Sequence, residues 1–383
     1  MSILKRFIFG IFIIALLLVY YFNFFQKNFN ADKSVEYKAV ITNIDKNIKS
    51  DEFGNSTQMV TVKILNGKLK NKSMTIPYST SNYIGNNVKL NINSKVLVMK
   101  DSTEGYNSFV IVDNYRLDYI GILIISFIII MIIVGGFRGI FSLISLFFAV
   151  AIIIMFGIPF ILKGYNPIII SILCTVLILL VTLILVSGIN YKSLSTFLGT
   201  TIGVLISGYI SYIIGIKANL TGLSFDESQM LFYIPQMQHL SPQGILFSGI
   251  IFGSLGAIMD VCMSISSSLF EIDNANSSLS FFSLFKSGMN VGRDIMGTMS
   301  NTLILAYLGT SMPLLILIMI SNSNLAKIIN LDYISTDIIR SLAGSIGLIL
   351  AIPFTIIISC ILLKLKNKKS IYSNLEDLNK SLK

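Results

Sequence analysis

The chain is short of charge: 13% of its 383 residues are Asp, Glu, Lys or Arg, against roughly 25% in an ordinary soluble domain. It has no tryptophan, one histidine, three cysteines and seven prolines. With 54% hydrophobic residues and a mean hydropathy of +0.77, too little polar surface is left to cover a soluble enzyme, and that class is excluded. Cys174, Cys262 and Cys360 each lie inside an apolar stretch, with no CxxC pair. Neither a disulfide framework nor a metal or redox motif follows from them. His239 stands alone between Gln238 and Leu240. Without a second histidine or a nearby cysteine it lacks the partners of a metal site or a triad, and it reads as an interfacial loop residue. No GxxxxGK[ST] occurs, and Gly135-Gly136-Phe137-Arg138-Gly139 reads as a short turn, not a phosphate cradle. No nucleotide site and no cofactor is expected.

The net charge of +10 invites a nucleic-acid reading, but the basic residues do not cluster on an aromatic-studded surface as such a binder requires. They follow membrane topology instead. Residues 3–25 begin with Lys5 and Arg6, run apolar and end in Tyr20, Tyr21, Phe22, Phe24 and Phe25. No A-x-A cleavage site follows, and an interfacial aromatic belt suits a retained anchor better than a signal peptide. Seven further stretches have the roughly 20 apolar residues that span a bilayer core: 118–134, 140–162, 168–187, 194–216, 243–270, 295–320 and 338–363. Eight transmembrane helices are therefore expected. Placing the N-terminus inside puts 12 basic residues in the cytoplasm (Lys5, Arg6, Arg138, Lys192, Lys286, Arg293 and six C-terminal lysines) and four beside the short outer loops (Lys163, Lys217, Lys327, Arg340). That asymmetry predicts both termini cytoplasmic and residues 26–117 outside.

Residues 26–117 hold 21 of the 48 charged residues and have a different rhythm. Short alternating runs near 36–44, 58–65, 73–79, 95–100 and 108–112 are separated by Asn66-Gly67, Gly85-Asn86 and Glu104-Gly105. Five strands predict a small all-β domain, with an OB-like barrel the first choice. Lys63, Lys68, Lys70 and Lys72 make a basic strip that reads as a solvated, aggregation-resistant edge, not as a nucleic-acid surface. The expected organisation is an anchor at 1–25, an extracytoplasmic β-domain at 26–117, a seven-helix bundle at 118–363 and a basic cytoplasmic tail at 364–383.

Ionisable residues inside apolar helices are the most informative letters, because a charge at the bilayer centre costs at least ~2.5–3.5 kcal/mol. Asp260, Ser264, Ser267 and Glu271 are spaced 4, 3 and 4 apart and share one helix stripe. Asp294, Thr298 and Asn301 form a second, with Arg293 on the neighbouring face, and the two stripes are expected to face each other. Together they are the candidate substrate or ion pathway. The competing reading is a salt bridge of Asp260 or Asp294 with Arg293 that pins two helices. Two small-residue series, Gly249–Gly253–Ala257 and Ser195–Gly199–Gly203–Ser207–Ser211–Gly215, fall in four-residue register and read as helix-packing seams.

These residues carry a resemblance. FGSLGAIMDVCMSISSSLFEI (252–272), KSGMNVGRDIMGTMSNTLILAYLGTSMPLLIL (286–317), SFDESQMLFYIPQ (224–236) and GGFRGIFSLISL (135–146) resemble the YibE/F-like family of bacterial multi-pass membrane proteins. The resemblance covers nearly the whole chain. It implies a location in the bacterial cytoplasmic membrane, implies a transporter only by analogy, and supplies no substrate or catalytic residue to carry over.

Three functions fit these readings. A transporter or permease component would pass an unknown small solute or ion along the Asp260 stripe, driven by an ion gradient. A non-catalytic membrane scaffold or sensor would use the β-domain to bind an envelope partner. An intramembrane aspartyl hydrolase would need Asp260 and Asp294 close enough to share a proton, and the text here, MD and GRD, departs from the YD and GxGD that such enzymes carry. The bilayer itself and a further copy of the chain are the other expected partners.

Overall fold

A computed structural model describes residues 36–381 except 46–48, 51–55, 81–89, 102–107, 225, 235, 236, 238 and 321–323. The predicted anchor at 3–25 and the turns at Gly85-Asn86 and Glu104-Gly105 lie outside the described residues. The chain divides into two compact units between Gly135 and Gly136.

The first unit is built on six strands: β1 Glu36–Ile44, β2 Lys49–Ser50, β3 Ser56–Ile64, β4 Ser73–Thr80, β5 Lys95–Asp101 and β6 Ser108–Asn114. All pairings are antiparallel; β3 is flanked by β4 and β1, and β1 continues to β5 and then β6. The five expected strands are present, and only the two-residue β2 is additional. Alternation builds the core of this curled half-barrel: Tyr37, Ala39 and Ile41 of β1 point inward with Val60, Val62, Ile64, Ile76, Val96, Val98 and Ile111. Each large aliphatic side chain buried this way contributes about 1.5–3 kcal/mol. Lys63, Lys68, Lys70 and Lys72 are all exposed. Gly67 has φ +69°, and a Cβ there would stand 3.0 Å from the Tyr37 ring, so the Asn66-Gly67 turn needs its glycine for both reasons.

At the sheet's exit Lys38 and Lys95 both grip Asp118, at 2.8 and 2.6 Å. The Asp118 carboxylate pushes the Lys95 ammonium above its ordinary value, and the Arg116 guanidinium holds Asp113 below its own. Asp118 opens α1, Leu117–Ile152, which is interrupted at Gly136, where φ is 53° and ψ −137°. Only glycine adopts that backbone without strain, and the break falls inside the expected GGFRG turn.

The second unit holds the rest: a π-helical turn at Ile153–Gly157, α2 Ile158–Leu162, α3 Pro167–Val186, α4 Tyr191–Lys217, α5 Asp226–Tyr233, α6 Pro242–Ala275, α7 Phe281–Thr310, α8 Met312–Ile320, α9 Leu325–Ile329 and α10 Asp332–Ser381. Side-chain caps fix several starts: Asn166 accepts from Ile168 N–H, Asn190 from Ser193 N–H, Ser241 from Gly244 N–H and Ser280 from Ser283 N–H. Among the described residues five helical runs are long and apolar enough to cross a membrane, or six with the bent pair α7–α8. The apolar helices are those of a membrane protein. The stretch 295–320, expected as one span, ends at Thr310 and restarts at Met312 with a 63° bend.

α10 is the axis of the bundle, with α4, α6 and α7 packed on it. Leu179, Ile258, Cys262, Ile265, Leu348, Ile356 and Cys360 make the common core. The series Ser195, Gly199, Gly203, Ser207, Ser211 and Gly215 on α4 is wholly buried. A Cβ on Gly203 would lie 2.6 Å from the Ala351 methyl and 3.1 Å from the Gly347 carbonyl oxygen, and one on Gly199 would collide with Thr355. Glycine here lets α4 and α10 approach backbone to backbone.

Candidate functional site

Helix α6 has 34 residues, about 51 Å at 1.5 Å per residue, and Asp260 sits close to its middle. Its inward face carries Ile250, Ile251, Ile258, Val261, Cys262, Ile265 and Leu269. Its opposite face is Gly249, Gly253, Gly256, Asp260, Ser264 and Glu271, all exposed, with Ser267 half-buried at its edge. A Cβ on Gly249 or Gly256 would meet nothing within 4 Å. One on Gly253 would strike the Tyr307 hydroxyl oxygen. Ala257, which shares the four-residue register of Gly249 and Gly253, is half-buried.

Helix α7 repeats the pattern. Leu284, Gly288, Gly292 and Leu303 are buried, while Arg293, Asp294, Gly297, Thr298 and Asn301 are exposed. The helices touch through their other sides: Gly288 packs against Leu269 and Ile356, and Gly292 against Ile265 and Ile352. The two polar stripes therefore do not face each other. They lie on the outward sides of neighbouring helices. The reason is volume, since the glycines at 288 and 292 allow the close approach and branched side chains fill it, which leaves the charged faces outside.

Asp260 makes no hydrogen bond or ion pair among the described residues, nor do Glu271, Arg293 and Asp294. No guanidinium holds Asp260, and no hydrogen bond joins it to Asp294, as a shared proton would require. Two stripe hydroxyls are already committed to their own helices: Ser267 donates to the Met263 carbonyl at 2.6 Å and Thr298 to the Ile295 carbonyl at 3.0 Å.

A second polar group, which sequence reasoning missed, lies where α7 breaks. Ser311 donates to Asp337, Arg340 stands 3.6 Å from the same carboxylate, and its guanidinium lies 5.5 Å from the centre of the Tyr307 ring. Asp337 and Arg340 are only 18% and 19% exposed. Tyr307, Ser311, Asp337 and Ser341 line a cavity of about 270 Å³ whose other walls are isoleucine and leucine. Arg340, expected beside an outer loop at the edge of the span 338–363, lies well inside α10, because that helix begins at Asp332, whose carboxylate accepts from the Thr221 and Ser224 hydroxyls at 2.6 and 2.9 Å. The available signals were the Asp-x-x-Arg spacing 337–340, one helical turn, and Ser311-Met312-Pro313 inside an otherwise apolar run. Since Tyr307 meets both Arg340 and Gly253, the cluster joins the upper end of the α6 stripe.

Asp273, near the cytoplasmic end predicted for α6, is buried at 2% exposure. His239 is exposed, and its Nε2 lies 3.2 Å from the Leu162 carbonyl oxygen. Among the described residues no group of three or more His, Cys, Asp or Glu could hold a metal ion.

The family model described as YibE/F-like protein matches residues 123–365, which takes in α3 to α9, most of α1 and α10 and every residue of the polar stripes. No curated protein and no solved structure matches the chain.

Proposed function

This chain belongs to the YibE/F-like family, and from that premise we propose that it is a transporter or permease component moving a small solute or ion past Asp260. The supporting observation is a carboxylate without a hydrogen-bond or ion-pair partner among the described residues, midway along an apolar helix, with polar groups leading away from it in both directions. Toward one end run Gly253, Tyr307 and the Ser311–Asp337–Arg340 cluster at a broken helix; toward the other run Ser264, Asp294 and Glu271. Discontinuous helices beside ion and substrate sites recur in secondary transporters because the freed backbone groups can face a polar cargo. With no nucleotide motif in the sequence, an ion gradient is the energy source.

In this reading the chain crosses the membrane eight times. The interruption at Gly136 divides Leu117–Leu162 into two spans, the bent α7–α8 pair counts as one, and residues 3–25 supply the first. Both termini are cytoplasmic and the β-domain, an open OB-like barrel, is extracytoplasmic. That Asp260 has no ion-pair partner among the described residues of its own chain also favours transport over a salt bridge pinning α6 to α7.

Untargeted ion and metabolite profiling of cells with and without the protein, repeated with Asp260→Asn at matched membrane abundance, tests this. At least one solute pool should change with the wild type and not with the variant. Equal profiles for wild type and variant, or no change on adding the protein, would remove the transport reading.

A further inference from the structure

The outward face of α6 and α7 is chemically wrong for lipid. Glycine, serine, threonine and five charged residues (Asp260, Glu271, Lys286, Arg293 and Asp294) are exposed on it; in the proposed topology the last four lie toward the cytoplasmic side, but hydrocarbon does not solvate a carboxylate at mid-helix such as Asp260. Something polar must cover it. The apolar stretches 7–22 and 119–134 contain no Lys, Arg, His, Asp or Glu and so supply no charge to compensate Asp260.

We propose that this face is closed by the same face of a second copy of the chain, with Arg293 of the partner subunit set against Asp260. The face is self-complementary, as a two-fold isologous contact demands: three carboxylates and two cations alternate across it. The register places them within reach. Gly292 packs level with Ile265 and Gly288 with Leu269, so the two helices run antiparallel, Arg293 is level with Ser264, and it stands some four residues, about 6 Å along the axis, from Asp260. A two-fold axis along the membrane normal keeps those depths in the partner, where the long arginine side chain covers the remaining offset. Among the described residues nothing stands within 4 Å of where a Cβ would be on Gly249, Gly256 or Gly297, the condition for close helix contact in a bilayer. Within one copy Arg293 points outward and leaves Asp260 unpaired, so the polar site is complete only in the dimer. The proposal concerns assembly and is tested without measuring flux, so it can fail while the transport reading stands, and the reverse.

Full-length Gly256→Cys in membranes, oxidised with copper phenanthroline, should give a reducible band at twice the 42.4 kDa chain mass. Leu173→Cys, exposed on α3, should give none. Single-molecule photobleaching in bilayers should show two steps for the wild type and one for Asp260→Arg, with two restored by combining it with Arg293→Asp. Should Asp260→Arg fail to insert, Gly256→Leu serves the same purpose, lowering the two-step fraction at least tenfold at unchanged melting temperature. A one-step wild type with no Gly256→Cys cross-link overturns the proposal. So does an intrachain cross-link of Gly256→Cys with Ile14→Cys, which would make the N-terminal segment the occupant.

Discussion

Helices α4 and α6 each carry a stripe of small residues at four-residue spacing, and the stripes meet opposite fates. On α4 the glycines are buried against α10, where Gly203 stands over Ala351 and Gly347. On α6 Gly249 and Gly256 face open space, and the stripe runs on into Asp260. The same residue chemistry is a finished contact in one helix and an unfinished one in the other. What separates them is the neighbouring polar content: hydroxyls can satisfy themselves on helix carbonyls, as Ser211 does on the Gly208 carbonyl at 2.9 Å, whereas a mid-helix carboxylate cannot and needs water, a cation or a partner.

Replacing the two sets of glycines breaks the comparison most directly. Gly203→Val should destabilise the bundle by about 1–3 kcal/mol, the usual cost of overpacking a tight core, seen as a lower melting temperature in detergent. Gly249→Val, in open space, should leave the melting temperature of the detergent-solubilised monomer within error; an equal loss for both would erase the distinction. Next in size is Gly136→Ala, which forces a non-glycine residue to φ 53° and ψ −137° and should cost about 1–3 kcal/mol, read as reduced membrane abundance. Tyr307→Phe removes the hydroxyl that meets Gly253 while keeping the ring beneath Arg340. It should impair transport more than stability, so a fall in melting temperature with normal flux would return Tyr307 to a packing role. The smallest effect is expected in the other unit: Asp118→Asn weakens the solvent-screened grip of Lys38 and Lys95, and should raise hydrogen exchange at the start of α1 alone.

Much of this fold is legible in the sequence. The alternation in β1, β3, β4, β5 and β6 and the apolar runs of α3, α4, α6 and α10 mark their elements because periodicity records which face is buried. Periodicity does not record what lies opposite that face. The residues expected to form stripes on α6 and α7 are exposed, Ser267 half-buried, but the two sets do not oppose each other, since Gly288 and Gly292 turn a different side of α7 to α6. The break at Ser311 is hidden because an averaged apolar run from 295 to 320 marks a stretch long enough to span, and hydropathy says nothing of backbone direction within it. The start of α10 at Asp332, which carries Arg340 from the edge of the expected 338–363 span well into the helix, is not legible in sequence because its contacts to Thr221 and Ser224 come from 108 or more residues away.

The account rests on the α6 face being wet, not oily. Cysteine placed singly at 256, 260, 264 and 271 and challenged in intact membranes with a charged, membrane-impermeant thiol reagent measures this, against a wild-type background of three buried cysteines. Labelling at Asp260→Cys comparable to that at Glu271→Cys, and lost when Arg293 is also replaced by a bulky apolar residue, is the predicted result. Reaction at 260 with a lipid-soluble reagent alone would contradict it.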